Sequence, residues 1–390
     1  MHVLHLPSWY SAPDKPWRGT FVRDQAMALR EAGIDARVAF VERRSFSRFN
    51  GLNLVFSHFQ TEACDEDDLP TMRMKGWGIF AQTVPGSLLW CRLMRRLVES
   101  YVAVYGVPDL IHGHAALWGG HAAMLASRAL RRPYVVTEHS SSILTRRLSA
   151  PMSRYASDVY RNAGAVIAVS RALKDSVDAV AGGPVAEVIA NTVDGDYFTL
   201  PGERSTDRAF TFLAVCDLVG YKRLDLVIRA FARLHLRWPA TRLVIAGSGK
   251  EASRLRALAD ALTPPGSVRF TGPLVRWQVR QWMREASALV LTSDVETFGV
   301  VLIEAMSTGM PVIATRSGGP QDVVTPETGL LIDCDDSDAL ERAMAEVLRR
   351  RFDPKAVRDS ARRRFGYPVI ANQLCAVYDR LLMGRRQEVA

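Results

Sequence analysis

Two glutamates separated by seven residues, Glu296 and Glu304, stand in the stretch from residue 288 to 319 with the chemistry to hold a polar ligand. Glu304 is flanked by Ile303 and Ala305, where a carboxylate is costly to bury unless it has a partner. A ligand rich in hydroxyls supplies such partners. Between the two acids, Phe298, Gly299 and Val300 open a helix-period run, and the first amides of a helix are donors without intrahelical acceptors. Carboxylates for hydroxyls beside amides for phosphate describe a sugar-nucleotide site. Spacing alone leaves that reading level with a plainer one, in which Glu296 is a first-turn acid and Glu304 a salt-bridged one.

Other residues carry chemistry at strand ends. Lys222 follows the apolar run Phe210-Val215 and can neutralise a diphosphate or stand as a surface lysine; Arg223 beside it is a second cation. His139 ends the run Tyr134-Thr137 in Thr-Glu-His-Ser, where a neutral imidazole can bond a sugar hydroxyl or simply a carbonyl. His112-Gly-His114 and His121 lack a third ligand at zinc spacing, so no metal site is expected. Asp65-x-Asp67 reads as a solvated loop. Gly247-Ser-Gly249-Lys250 lacks the earlier glycine of a P-loop, and Glu251 stands where Ser or Thr would hold magnesium. The first loop has no Gly-x-Gly-x-x-Gly; it has Gly19 and Thr20 before a helix over Phe21-Ala32, closed by Gly33.

The run Ser-Asp-x-Glu296-Thr-Phe-Gly-x-x-x-x-Glu304-Ala-Met-x-x-Gly-x-Pro-Val-Ile-Ala, followed by Gly-Gly, closely resembles the signature of the family 4 retaining glycosyltransferases of the GT-B fold. The form Pro7-Ser-Trp-Tyr…Gly19-Thr-Phe resembles a subgroup tied to bacterial exopolysaccharide and lipopolysaccharide assembly. The resemblance implies two facing Rossmann-like domains with parallel sheets and a deep interdomain cleft. It implies a catalytic set of His139, Lys222 and Glu296, with Glu296 on donor sugar hydroxyls and Glu304 on the ribose. Gly19 and Thr20 would approach the donor diphosphate. Arg223, Phe298, Gly299 and Val300 complete the donor side, Val275 (in Thr271-Gly-Pro-Leu-Val) meets the base, and His114 lies on the acceptor side. Where the family usually has Arg, five residues before Lys222, this chain has Asp217. The implied reaction retains anomeric configuration by front-face attack, without metal or cofactor. Its co-substrate is a nucleotide sugar, a UDP-sugar being favoured over a GDP-sugar, and its acceptor a saccharide of the lipid-linked kind.

The elements that must position these residues read as α/β. Strand-like runs at Val3-Leu6, Ala36-Val41, Asp109-His112, Tyr134-Thr137, Ala165-Val169 and Glu187-Ile189 alternate with helices. Six more follow: Phe210-Val215, Arg242-Ala246, Ser267-Thr271, Leu289-Thr292, Val312-Thr315 and Gly329-Ile332. Residues 42 to 87 read as irregular, and 200 to 208 as linker. The expected partition is an acceptor-binding domain over 1-195, a nucleotide-sugar domain over 196-367, and a returning helix over 368-390. Five scattered cysteines argue for a reducing compartment, and no run approaches the ~20 apolar residues of a membrane span. The N-terminus reads as a first strand rather than a leader. The net charge of +9 is concentrated between Arg349 and Arg364, where eight basic residues face two acidic ones. That segment could rest on an anionic surface or only meet water. A helix with the stripe Leu89, Leu93, Leu97 and Tyr101, Trp90, Met94 and Val98 beside it, and Arg92, Arg95 and Arg96 mainly away from it, could pack into the core or rest on lipid. A cytoplasmic enzyme able to sit on the inner face of the plasma membrane is the expected location. No nucleic-acid signature is present. Two rivals share the sequence: a GT-B-fold isomerase such as a UDP-sugar 2-epimerase, and a non-enzymatic basic binding module.

Overall fold

The computed structural model describes residues 1–11, 17–44, 59–66, 68–77, 84–202 and 209–389. The chain forms two compact units, one of Met1–Ala190 with Ile370–Ala390 and one of Asn191–Val369.

The first unit is built on an eight-stranded sheet. Its strands are β1 (His2–Pro7), β2 (Asp35–Arg44), β3 (Gln60–Glu66), β4 (Leu69–Trp77), β5 (Leu110–His114), β6 (Tyr134–Glu138), β7 (Ala165–Ala168) and β8 (Ala186–Val188). The order is β3-β4-β2-β1-β5-β6-β7-β8, parallel except for the β3–β4 pair. β5 and β6 are buried along their whole length, as parallel strands covered on both faces must be. Strand order reverses between β1 and β5, and such a switch point leaves a crevice at the strands' carboxyl ends.

The region expected to be irregular contains the antiparallel pair β3–β4. β3 is an exposed edge (Gln-Thr-Glu-Ala-Cys-Asp-Glu), and β4 breaks its apolar alternation with Arg73 and Lys75. Arg73 is buried and ion-paired to Glu66 and Glu42, which explains how a charge sits inside that sheet. Asp65 is on β3, whereas Asp67 lies outside the described residues. The helix Val84–Tyr105 packs through Trp90, Cys91, Met94, Leu97, Val98 and Tyr101, with the indole N–H of Trp90 donating to the Val41 carbonyl at 2.9 Å. Of the residues read for its apolar face, Trp90, Met94, Leu97, Val98 and Tyr101 are buried and Leu89 is exposed. Arg92, Arg95 and Arg96 do face solvent.

The second unit carries six parallel strands: β9 (Phe210–Val215), β10 (Thr241–Ala246), β11 (Val268–Gly272), β12 (Ala288–Leu291), β13 (Val312–Thr315) and β14 (Gly329–Ile332). Their order, β11-β10-β9-β12-β13-β14, is that of the doubly wound nucleotide-binding sheet, with its switch point between β9 and β12. Phe212, Ile245, Val290 and Ile313 from the strands pack with Val227, Phe231 and Leu234 of the helix Leu224–Arg237.

Residues 191–198 pack on this second unit. Val193 bridges Gly366, Thr192 Oγ1 donates to the Phe365 carbonyl at 2.8 Å, and Arg358 donates to the carbonyls of Gly195, Phe198 and Ser307 at 2.7–2.8 Å. The chain passes from one unit to the other at 190/191 and at 369/370, where the sequence reading drew its limits at 195 and 367. Of the expected linker, residues 203–208 lie outside the described ones. Arg358 and Arg364 are pinned to backbone carbonyls, so the basic segment offers fewer surface charges than its sequence implies. No helix among the described residues is long and apolar enough to cross a membrane.

Candidate functional site

At the switch point of the second sheet, the chain leaves β9 through a short turn, Gly220–Lys222, and leaves β12 through Thr292-Ser293-Asp294. The two exits are tied together. Thr292 Oγ1 donates to the carbonyl of Lys222 at 3.0 Å, and the Asp294 amide donates to that of Tyr221 at 2.8 Å. This brings Lys222 Nζ to 2.6 Å from Glu296 Oε2, which also accepts from Ser293 Oγ at 3.2 Å. Burial pushes the Lys222 ammonium down, but Glu296, with Cys216 and Tyr221, more than offsets it and holds the group above its ordinary range. Lys222 is therefore a fixed cation.

Glu296 is aligned by the glycine turn after β13. Its amide donates to the Ser317 carbonyl at 3.0 Å, and the Gly319 amide donates back to the Glu296 carbonyl at 2.8 Å. A side chain at Gly319 would place its Cβ 2.3 Å from Phe298 Cα, so glycine alone permits this approach. The helix after Glu296 runs Val300–Ser307, with Gly299 as a left-handed N-cap at φ 89°. It starts two residues later than the pattern implied, because Phe298 is a buried anchor edge-on to Phe365 at 5.6 Å. Glu304 is half-buried on that helix.

Two expected donor residues are engaged elsewhere. Arg223 lies among Asp225 at 3.3 Å, Asp294 at 3.4 Å and Asp335 at 2.6 Å. Three carboxylates neutralise its guanidinium, which speaks against its serving as the second cation for a diphosphate. Val275 caps the helix Arg276–Glu285: its amide donates to Gln278 Oε1 at 3.0 Å and its carbonyl accepts from Gln278 and Val279. Its half-exposed side chain is what remains to meet a ligand.

In the first unit, β1, β5 and β6 deliver four histidines, His5, His112, His114 and His139, to one place. His5 Nδ1 lies 2.9 Å from His114 Nε2, and His114 Nδ1 lies 3.3 Å from His139 Nε2. His112 bonds the hydroxyls of Tyr378 and Thr137, each at 2.7 Å. His114 is 2 % exposed with both nitrogens engaged, so it stands behind His139 rather than facing an acceptor. Burial drives all four imidazoles down, His5 and His139 to about 3, and keeps them neutral near pH 7.

His5, His112 and His114 lie close enough to suggest metal ligands. Their geometry does not fit one. Ring lone pairs must converge in-plane on a shared ion ~2.0–2.1 Å away. Here His112 and His114 stack at 19° and His5 and His114 at 20°, and both nitrogens of His112 and of His114 already have partners.

Gly19 and Thr20 are brought to this cluster by the helix Thr20–Glu31, whose Phe21 ring lies 4.2 Å from that of His139. Gly19 is left-handed at φ 73°, and a Cβ there would lie 2.8 Å from the Trp9 carbonyl oxygen. The loop that carries His139 is set by Glu138, which is fully buried. Its carboxylate accepts from the amides of His139 (2.9 Å), Ser140 (2.7 Å) and Ala116 (2.8 Å) and from the Tyr160 hydroxyl (2.7 Å). Ser8 does similar work on the opposite turn, its Oγ accepting from the amides of Trp118 and Gly119 and donating to the His114 carbonyl. Neither Glu138 nor His5 was singled out by its sequence, although both sit in runs that end at the site.

Comparison with known proteins adds the following. The family described as Glycosyltransferase Family 4 matches residues 19–197, and Glycosyl transferases group 1 matches residues 201–364. The chain is similar to the glycogen synthase of Mycobacterium tuberculosis, 28 % identical over 296 residues that cover 72 % of this chain and 70 % of that protein. It is similar to the putative teichuronic acid biosynthesis glycosyltransferase TuaC of Bacillus subtilis, 27 % identical over 365 residues and covering 88 % of each. Among solved structures, Anabaena HepE in complex with UDP and glucose shares the fold with a TM-score of 0.74 at 21 % identity, covering 97 % of this chain and 99 % of that one.

Proposed function

The chain belongs to the family 4 glycosyltransferases of the GT-B fold, and from that premise we propose that it transfers a sugar from a nucleotide sugar to a saccharide acceptor with retention of configuration and without a metal. The observation that carries this reading is the Lys222–Glu296 pair at the switch point of the second sheet, beside the helix N-terminus at Gly299-Val300. Such an end of a doubly wound sheet is where phosphates are bound. Lys222 meets the diphosphate and the charge that grows on it as the sugar leaves. Glu296 holds sugar hydroxyls, and Glu304 the ribose. Lys222 and Glu296 neutralise each other in the free site, so donor binding exchanges one ion pair for two ligand contacts.

In the reaction the acceptor hydroxyl attacks the anomeric carbon on the face the diphosphate leaves. The carbon–oxygen bond to phosphate breaks, the new glycosidic bond forms, and the hydroxyl proton passes to the departing phosphate oxygen. His139, with its Nδ1 unpartnered, serves a saccharide oxygen. A UDP-sugar is the favoured donor, in keeping with UDP in the HepE structure, and a GDP-sugar is the other option. We assign the chain to cell-surface polysaccharide assembly on a lipid-linked acceptor, with the exposed Arg92, Arg95 and Arg96 as the surface for an anionic leaflet; the similarity to a teichuronic acid biosynthesis glycosyltransferase supports the biosynthetic role and not the acceptor.

A thermal-shift panel of UDP-, GDP- and ADP-sugars tests the donor site. One nucleotide class should raise the melting temperature, and Lys222→Ala should abolish that shift and lower turnover ~10²-fold or more. Unchanged kinetics in the variant would remove Lys222 from the site. Activity that is lost on chelation and restored by magnesium or manganese would overturn the metal-free mechanism. Turnover of the nucleotide sugar to an isomer without acceptor would favour the epimerase instead.

A further inference from the structure

His5, His114 and His139 form a file of near-parallel rings joined by two hydrogen bonds, and its two end nitrogens, His5 Nε2 and His139 Nδ1, are buried without a partner. Three neutral imidazoles carry three N–H groups. His114 has one, so it donates through one nitrogen and accepts through the other, and both links run the same way. Two protons lie inside the links. The third always sits at one end.

The file therefore has two neutral arrangements, each leaving one buried N–H to be met from outside. At His5 that N–H would sit on a residue with no exposure. At His139, which is 7 % exposed, it lies on the strand-end loop beside Phe21. Both end nitrogens are buried without an acceptor in the free protein, so a ligand oxygen at His139 is what satisfies the second arrangement and favours it over the first. His112 stacks on His114 but directs both nitrogens to Tyr378 and Thr137, so it does not branch the file.

We propose that this file is a tautomer relay, running from His5 through His114 to His139, that presents His139 Nδ1 as an N–H donor to an acceptor oxygen of the saccharide substrate. His5 and His114 are positioning residues. The proposal rests on the function assigned above. The depressed basicity of all four rings keeps the file neutral at working pH.

Histidine ¹⁵N spectra at pH 7 of the protein saturated with the nucleotide sugar that gives the largest thermal shift read the direction. His5, His114 and His139 should all be neutral Nδ1–H tautomers. Any of the three as Nε2–H, or as a cation, overturns the relay. His114→Phe keeps the ring shape and cuts the file. A free imidazole prefers the Nε2–H form, so His139 should change tautomer, and kcat/KM should fall ~10-fold while nucleotide affinity holds. If His139 keeps its tautomer and kcat/KM is unchanged, the relay is refuted; if the variant does not fold, the wild-type spectrum decides. Addition of that nucleotide sugar to the free protein should move the His139 Nδ1 resonance. If it does not, the relay is refuted, while the thermal shift that picked the sugar leaves the donor site standing.

Discussion

At the scale of single residues, the side chains that set the site outnumber those that would touch a ligand. Glu138 is the clearest case. Burial raises its pKa, while three backbone amides and the Tyr160 hydroxyl act in the opposite sense. Its two oxygens hold the His139 loop to the turn at Ala116. Glu138→Gln turns one acceptor into a donor that faces backbone N–H groups. It should cost ~1–3 kcal/mol in urea unfolding and reduce turnover as well. Unchanged stability would show that the loop holds without the carboxylate. Lys222 and Glu296 were legible because each follows an apolar strand run and stands out as a charge at its end. Glu138 and His5 were not. Glu138 takes its meaning from Tyr160, 22 positions on, and His5 from His114, 109 positions on. No local pattern records such separations.

At the scale of elements, the glycine turn after β13 fixes the distance between Glu296 and the helix that follows it. Gly319→Ala should push the turn away from Phe298 and take the Glu296 backbone with it. A shift on the order of 1 Å at a binding group can cost ~10²-fold in rate. The expected result is a folded protein with weakened nucleotide-sugar binding and turnover, checked by calorimetry and steady-state kinetics; wild-type values would mean that the turn does not set Glu296. The twelve strands read from apolar runs are all present, because buried parallel strands are written as such runs. β3 and β4 escaped that reading. One is an edge exposed along most of its length, and the other buries an arginine whose counter-ions, Glu66 and Glu42, come from β3 and β2. On the helix Val84–Tyr105 the residues read as core, Trp90, Met94, Leu97, Val98 and Tyr101, are buried, and Leu89 is the exception. Trp90 is drawn inward by the Val41 carbonyl, and that leaves Leu89 outside.

At the scale of the whole molecule, buried neutral imidazoles make folding sensitive to mild acid. His5, His112, His114 and His139 all have folded pKa values below 6.5, two of them about 3. Between the folded and unfolded values the unfolded chain binds more protons, so stability rises with pH there. The contribution is complete above pH 6.5 and is lost as pH falls toward 3, at up to ~1.4 kcal/mol per pH unit for each imidazole. Urea midpoints should therefore drop from pH 6.5 to 5.5, before most carboxylates titrate, and the drop should be shallower in His139→Gln. A flat profile over that window would mean that these rings are protonated in the native state.

The antiparallel return of β3 has a bearing on how the protein behaves in crowded solution. A parallel sheet ending at β4 would offer a row of open backbone groups to any passing strand. β3 covers that row and presents Asp65 on its own margin, Glu62 and Glu66 being ion-paired to Lys75 and Arg73. A second copy approaching the same margin would set acid against acid, which disfavours cross-strand pairing. The hairpin is in effect a selvedge: it finishes the weave and deters the molecule from growing into fibres by strand addition on that side.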